Sequence, residues 1–202
     1  MNESIYGRVE HWIMSSRNGY RYMSFRCPIC KIWVDGPVFI EDGGVHFIET
    51  WPTDVAHEMV EIASGWQKRL AEQADFAFDR IPIHVQMVNL DLDPDWPIME
   101  RYGFIQFYLG GEPVEDPVKV YLGEFDAVVI HVFPDEDRTP EQLEELILHE
   151  LLHAAFPKSS VEGTRSRKKT FGSAECEKWI NDKTTQLLRQ HGYLLHQPTL
   201  PS

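Results

Sequence analysis

The segment His149-Glu150-Leu151-Leu152-His153 has the residue types and the spacing of a metal site. On an α-helix its two histidines stand one turn apart, so both imidazoles leave from one face and can bind a single ion. The glutamate beside the first histidine would then lie near a metal-activated water molecule, where a general base is needed. The spacing therefore predicts His149 and His153 as metal ligands and Glu150 as the catalytic base.

A third ligand has to come from another part of the chain, because a catalytic zinc ion uses three protein donors and keeps one position open. The helix predicted over about residues 172–191 offers Glu175 and Glu177. Glu177 lies roughly 60° from the centre of the apolar face of this helix, and Glu175 lies roughly 140° away. This favours Glu177 and leaves Glu175 as the alternative. Asn181, one turn later, could orient a ligand through a hydrogen bond.

The helix that carries the two histidines has clear start and stop signals. Thr139 is a suitable N-cap, Pro140 suits the first turn, and Gln142 completes a capping box. Pro157 ends the helix. From Ile147 onward the segment is apolar almost all round, which predicts a buried helix. Histidines and a glutamate in such a helix are costly unless they are paired or bind a metal, so the conflict favours a functional role.

Upstream of this helix the pattern predicts a sheet and one further helix. A helix is expected over 53–78, and strands are expected over 81–88, 104–109, 118–122 and 125–133. The last strand is nearly all apolar, which favours a place beside the buried helix. His131 in this strand is interpreted as a sheet residue rather than as a ligand. The fold class that follows is α+β, with a mostly antiparallel sheet packed with helices.

Residues 1–50 are predicted to form a small β-rich portion, and residues 51–202 the domain around the histidines. The N-terminal portion contains Cys27-Pro28-Ile29-Cys30, and two thiolates at this spacing can share one structural zinc ion. Only His11, His46 or His57 could complete such a site. A redox pair and buried thiols without a metal are the alternatives for Cys27 and Cys30.

Charge and composition exclude several classes of protein. The 202 residues carry a net charge of −13, which argues against broad binding of nucleic acid or of an anionic membrane. The chain start lacks the basic and apolar regions of a signal peptide, and no stretch has the length and apolarity of a membrane span. Three cysteines do not make a disulfide framework, so a cytoplasmic protein is expected.

The HExxH segment followed by a glutamate on a later helix resembles the gluzincin metallopeptidases. More narrowly, Glu177-x-x-Ile180-Asn181-x-x-Thr184-x-x-Leu187-Leu188 is similar to the Glu-x-x-Ala-Asn-x-x-Ala-x-x-Leu-Leu pattern of the ImmA/IrrE-type phage and mobile-element proteases. The resemblance covers about residues 125–190. Members often carry a further histidine where this chain has Pro157. Membership would imply a cytoplasmic zinc protease, often one that cleaves a repressor.

The function expected from these residues is zinc-dependent hydrolysis of a protein or peptide substrate by a zinc-activated water, with Glu150 as general base. An electrophile for the developing oxyanion is also expected, and His191, Tyr193 and Arg165 are unranked candidates. The alternative hypothesis is a non-catalytic, metal-stabilised interaction module, encoded by a phage or mobile element. A nucleic-acid-associated protein is a third hypothesis, which the charge of −13 disfavours.

Overall fold

The structure is a computed structural model, and it describes residues 12–17, 20–26, 31–35, 38–40, 45–48, 53–74, 76–87, 103–133, 138–156 and 174–192. Within these residues the strands are β1 Trp12–Arg17, β2 Tyr20–Arg26, β3 Trp33–Asp35, β4 Val38–Ile40, β5 Val45–Ile48, β6 Ile83–Met87, β7 Gly103–Leu109, β8 Glu112–Pro113 and β9 Ala127–Val132. The helices are α1 Thr53–Ala71, α2 Pro117–Tyr121, α3 Pro140–Ala155 and α4 Ala174–Gln190, and a 3₁₀ turn covers Phe78–Arg80.

The strands form two sheets. The first contains β1, β2 and β3 in that order, with antiparallel pairing throughout. The second has six strands in the order β4-β5-β6-β9-β7-β8. Because β4 and β5 belong to this second sheet, it extends across residue 50 of the chain.

The six-stranded sheet is mixed. The β5–β6 and β6–β9 pairings are parallel, whereas β4–β5, β7–β9 and β7–β8 are antiparallel. A parallel pair needs a crossover connection, and α1 supplies one between β5 and β6. The α+β class is therefore confirmed, but the mostly antiparallel character is not, because the central strands pair in parallel.

The six-stranded sheet packs against α1 and α3, and α4 packs against α3, to form the main core. Side chains alternate along β9, so Val128, Ile130 and Val132 belong to this core. The helices contribute Met59, Trp66, Leu70, Ile147, Leu148, Leu151, Ile180 and Leu187. Trp66 of α1 donates its indole N–H to Glu144 Oε1 of α3 at 2.7 Å, which satisfies a buried donor between the two helices. The core thus holds α3 against the sheet, in contact with both α1 and α4. None of the described helices combines the length and apolarity needed to cross a bilayer.

The start of α3 matches the predicted capping box. The Gln142 N–H donates to Thr139 Oγ1 at 3.3 Å, and the Thr139 N–H donates to Gln142 Oε1 at 2.8 Å. Pro140 occupies the first turn, where its missing N–H leaves no hydrogen bond unmade. These local contacts set the helix register and therefore the direction of the two histidines.

The strand predicted over 118–122 is wrong, because this segment is the short helix α2. The Asp116 side chain accepts a hydrogen bond from the Val118 N–H at 2.9 Å, and Pro117 follows at the first helical position. An N-cap and a proline together outweigh the strand preference of the valines. The helix predicted over 53–78 is also shorter than expected, since α1 ends at Ala71.

Candidate metal centre

Two helices bring three metal-binding groups together. His149 and His153 lie one turn apart on α3, and Glu177 lies in the first turn of α4. His149 Nε2 and His153 Nε2 are 3.3 Å apart. Glu177 Oε2 lies 3.5 Å from His149 Nε2, and Glu177 Oε1 lies 3.6 Å from His153 Nε2. Among the described residues, His149, His153 and Glu177 form a group that could hold a metal ion.

The spacing of the donor atoms fits a small divalent ion. A tetrahedral zinc ion about 2.0–2.1 Å from each donor would hold two donors roughly 3.3–3.4 Å apart. The observed separations of 3.3, 3.5 and 3.6 Å are close to this value. Two imidazoles and one carboxylate also form a donor set that zinc accepts. The residues present therefore fit the ion that the sequence predicts.

The cluster is open to solvent on one side. The His153 side chain is 5% exposed, whereas the side chains of His149 and Glu177 are 21% and 39% exposed. An approaching molecule would therefore meet His149 and Glu177 first, with His153 behind them. A site that is to act on a substrate needs such an approach, in contrast to a fully enclosed structural site.

His149 and Glu177 share a proton-dependent contact. Burial acts to lower the pKa of His149, but the hydrogen bond to Glu177 and the negative charges of Glu150, Glu177 and Glu145 outweigh it, so this pKa is raised. The hydrogen bond to His149 lowers the pKa of Glu177, although burial of the carboxylate opposes this change. Without a metal, the pair thus favours an imidazolium beside a carboxylate. A metal ion would replace that proton.

His153 behaves differently from its neighbour on the same helix. Burial lowers the pKa of His153 to about 4, and the attraction of Glu177 does not offset this effect. The imidazole is therefore neutral near pH 7, which is the form that binds a metal ion. The cluster combines one ready donor with one donor that must first release a proton.

Glu150 lies beside the first histidine and is 6% exposed. It does not belong to the three-donor cluster, and its negative charge is one of the causes that raise the pKa of His149. A carboxylate adjacent to the donors, but outside them, is where a general base would be needed. Glu145, which no motif in the sequence singles out, also acts electrostatically on His149. Its position one turn before His149 is the signal that could have indicated it.

Three further predicted residues lie on α4 or directly after it. Glu175 and Asn181 are exposed on α4, before and after Glu177, and Glu175 stands outside the donor cluster. His191 follows the end of α4, about 20 Å along the helix axis from Glu177. Its ring meets Trp66 edge-on with a centroid distance of 5.1 Å. His191 is therefore too distant to stabilise an oxyanion at the cluster.

Several predicted residues fall outside the part of the chain that the structure describes. These are His11, Cys27, Cys30, Arg165 and Tyr193. The side chains of His46 and His57 are not described either. Their predicted roles stay predictions.

His131 is part of the sheet and does not join the donor cluster. It lies in β9 and stacks on Phe104 of β7, with ring centroids 4.2 Å apart and ring planes 4° apart. Among the described residues, the candidate metal site thus consists of His149, His153 and Glu177, and Glu150 follows His149 on α3. Comparison of the chain with protein-family models, with curated proteins and with solved structures found no match.

Proposed function

We propose that this protein is a zinc-dependent metallopeptidase that hydrolyses peptide bonds in a protein or peptide substrate. His149, His153 and Glu177 are the proposed zinc ligands, and Glu150 is the proposed general base. The observation that carries this proposal is the approach of the three donor groups to within 4.8 Å of one another, next to a buried carboxylate. The proposal includes a cytoplasmic location, in keeping with the low number of cysteines.

The binding step depends on the protonation of the two histidines. His153 offers its lone pair at neutral pH because its pKa is about 4. His149 must release the proton that it shares with Glu177, whose Oε2 lies 3.5 Å from Nε2. The carboxylate then has both oxygens facing the two imidazoles, so it can close the third side of the site.

The chemical step requires proton transfer by the chain itself. A bound zinc ion supplies Lewis acidity, which lowers the pKa of water and polarises a carbonyl group. Glu150 accepts a proton from the attacking water as the new carbon–oxygen bond forms, and it returns that proton to the amine nitrogen when the carbon–nitrogen bond breaks. Its burial, with 6% exposure, limits competing water around this carboxylate.

A single pair of variants tests the proposal. Glu150→Gln should keep bound zinc and lose hydrolysis of a peptide library by about 10²–10⁴-fold, because general-base catalysis is worth this much. Glu145→Gln is the matched control: it removes the same charge from the same helix, also near His149, but from an exposed position. Full activity in Glu150→Gln, or purified protein without zinc, would contradict the proposal.

The position of the three donors on two helices also supports a second candidate, a non-catalytic, metal-stabilised interaction module. The three donors connect α3 to α4, so a bound ion would cross-link two helices of the core. Removal of the ion would then lower the melting temperature strongly. A large drop with chelator, together with no cleavage of any peptide in the library, would favour this function over hydrolysis.

A further inference from the structure

We propose that Trp179 is a positioning residue for the proposed metal site. Its indole ring lies against Phe156 at the end of α3, and this contact sets the rotation of α4 about its own axis and so the place of the Glu177 carboxylate. The inference rests on the proposed function, because it concerns the three proposed zinc ligands. Trp179 acts through Glu177 and is not itself a ligand.

Glu177 lies far along the chain from the two histidines, so its place depends on a whole helix. In the sequence it follows His153 by 24 positions (177 − 153 = 24). Local backbone geometry does not set a distance across such a separation, whereas the packing of α4 against α3 does. Contacts that hold the start of α4 beside the end of α3 therefore also hold the third proposed donor.

Phe156 and Trp179 supply an aromatic contact between the end of α3 and the second turn of α4. Phe156 directly follows α3 and is 7% exposed. Its ring meets that of Trp179 edge-on, with centroids 6.0 Å apart and ring planes at 68°. Aromatic pairs favour this geometry because the positive edge of one ring meets the negative face of the other. Trp179 also packs against the main core, so its ring is held on more than one side.

The helical period places Glu177 and Trp179 on opposite sides of the buried stripe of α4. Cys176 and Ile180, four residues apart, belong to this stripe near the start of the helix. Glu177 and Trp179 are two residues apart, and at 3.6 residues per turn they point about 160° away from each other. A rotation that moved the Trp179 side inward would therefore move the Glu177 side outward. The Phe156 ring blocks that rotation as long as the indole is present.

A small rotation is enough to disturb a metal site. Side chains lie about 5–6 Å from a helix axis, so a rotation of roughly 10° moves a carboxylate by about 1 Å. Metal–ligand distances hold within about 0.2 Å, which is several times less. The Glu177 oxygens lie 3.5 and 3.6 Å from the Nε2 atoms of His149 and His153, close to the spacing that zinc needs. To keep this spacing, the rotation of α4 must be fixed within a few degrees.

Zinc affinity of the full chain, measured by competition with a chelating dye, tests the role of Trp179. Trp179→Leu should bind zinc roughly 10–100-fold more weakly, the range typical for loss of a group that orients a ligand. Trp179→Phe keeps a ring against Phe156 and should recover most of the affinity. Leu187→Ala is the matched control, because it removes a buried apolar group from the same helix about 15 Å along the axis from Glu177. It should lower the stability of the metal-free protein and bind zinc as the wild type does.

Two further measurements separate positioning from general loss of stability. Phe156→Leu should weaken zinc binding by a similar factor, and the double variant with Trp179→Leu should lose little more than the larger single loss, because both changes break one contact. Cobalt bound in place of zinc gives a visible absorption that depends on coordination geometry. This absorption should change in Trp179→Leu and stay unchanged in Leu187→Ala.

The outcomes distinguish this inference from the proposed peptidase. Wild-type zinc affinity in Trp179→Leu, or fully additive losses in the double variant, would overturn the positioning role and leave the metal site in place. Weakened binding in Trp179→Leu, in a protein that cleaves no peptide, would support the positioning role and contradict the peptidase. A wild-type chain that binds no zinc would overturn both. If Trp179→Leu does not fold, Phe156→Leu against Leu187→Ala makes the same comparison.

Discussion

Partly buried histidines in two regions of the described structure differ in protonation because their neighbours differ. On α3, burial acts to lower the pKa of His149, but the contact with Glu177 and the nearby carboxylates raise it. In β9, His131 stacks on Phe104, and burial lowers its pKa to about 3. Burial thus keeps an imidazole neutral, whereas an acidic neighbour favours its protonated form.

His153 shows that the two behaviours can coexist on one helix. Its pKa of about 4 is closer to that of His131 than to that of His149, although it too faces Glu177. The difference follows from its greater burial, with a side chain 5% exposed against 21% for His149, and from the hydrogen bond to Glu177 and the further carboxylates that raise the pKa of His149. The proposed metal site would gain from this division, because one proposed ligand needs no deprotonation and the other is accessible to solvent.

Removing the Glu177 carboxylate should have the largest effect on the difference between the α3 histidines and His131. In Glu177→Gln the α3 histidines lose their charged neighbour, and the proposed zinc site loses one of its three proposed ligands. We expect zinc affinity, measured by competition with a chelating dye, to fall by more than the roughly 10–100-fold that loss of an outer hydrogen-bond partner causes. Glu175→Gln, an exposed change two residues earlier, should bind zinc as the wild type does. Equal losses in both variants would contradict the assignment.

His131, the histidine in the sheet, should make the stability of the metal-free protein fall in acid. The pKa of His131 is lowered from 6.5 to about 3 in the folded state, so below pH 6.5 the unfolded chain binds a proton that the folded chain does not. The stability that neutral His131 contributes is present above pH 6.5 and is lost as the pH falls towards 3. The loss amounts to about 2 kcal/mol at pH 5 relative to pH 8.

Denaturant unfolding at these two pH values measures this effect. His131→Gln, which cannot titrate, should lose stability less steeply between pH 8 and pH 5 than the wild type does. His191→Gln removes an exposed imidazole and serves as the control. An unchanged pH dependence in His131→Gln would mean that another group is responsible.

A carboxylate introduced beside His131 should produce the smallest effect and make the two regions more alike. Phe104 lies opposite His131 in the antiparallel β7–β9 pair, so Phe104→Glu places an acidic group against the imidazole. We expect the pKa of His131, followed by NMR titration, to move upward relative to Phe104→Gln, which alters packing without adding charge. A pKa equal in the two variants would show that burial dominates even beside a carboxylate.

The predictable parts of this protein are those in which short-range contacts decide the structure. Thr139, Pro140 and Gln142 mark the start of α3 within four residues, and the structure shows the expected hydrogen bonds. The α2 segment had an equally local signal in Asp116 and Pro117, but the valines that follow favoured a strand interpretation. The error came from weighing β-branched residues above an N-cap.

The sheet topology is harder to predict from the sequence because it depends on segments that are distant in the chain. The β6–β9 pair is parallel although β7, β8 and α2 lie between its strands in the chain. The β5–β6 pair had a sequence signal, since the helix between them is long enough for a crossover. Strand alternation alone is the same in parallel and antiparallel neighbours, so it does not report the direction of pairing.

By itself, the sequence determined that His149 and His153 share one face of a capped, buried helix, because the helical period follows from local backbone geometry. Helical periodicity favoured Glu177 over Glu175 as the third donor but left both open. Only the tertiary structure decided which carboxylate meets the histidines, through the packing of α4 against α3 that brings Glu177 to 3.5 and 3.6 Å. That distance depends on how two helices bury their apolar faces together, and no short stretch of sequence encodes it.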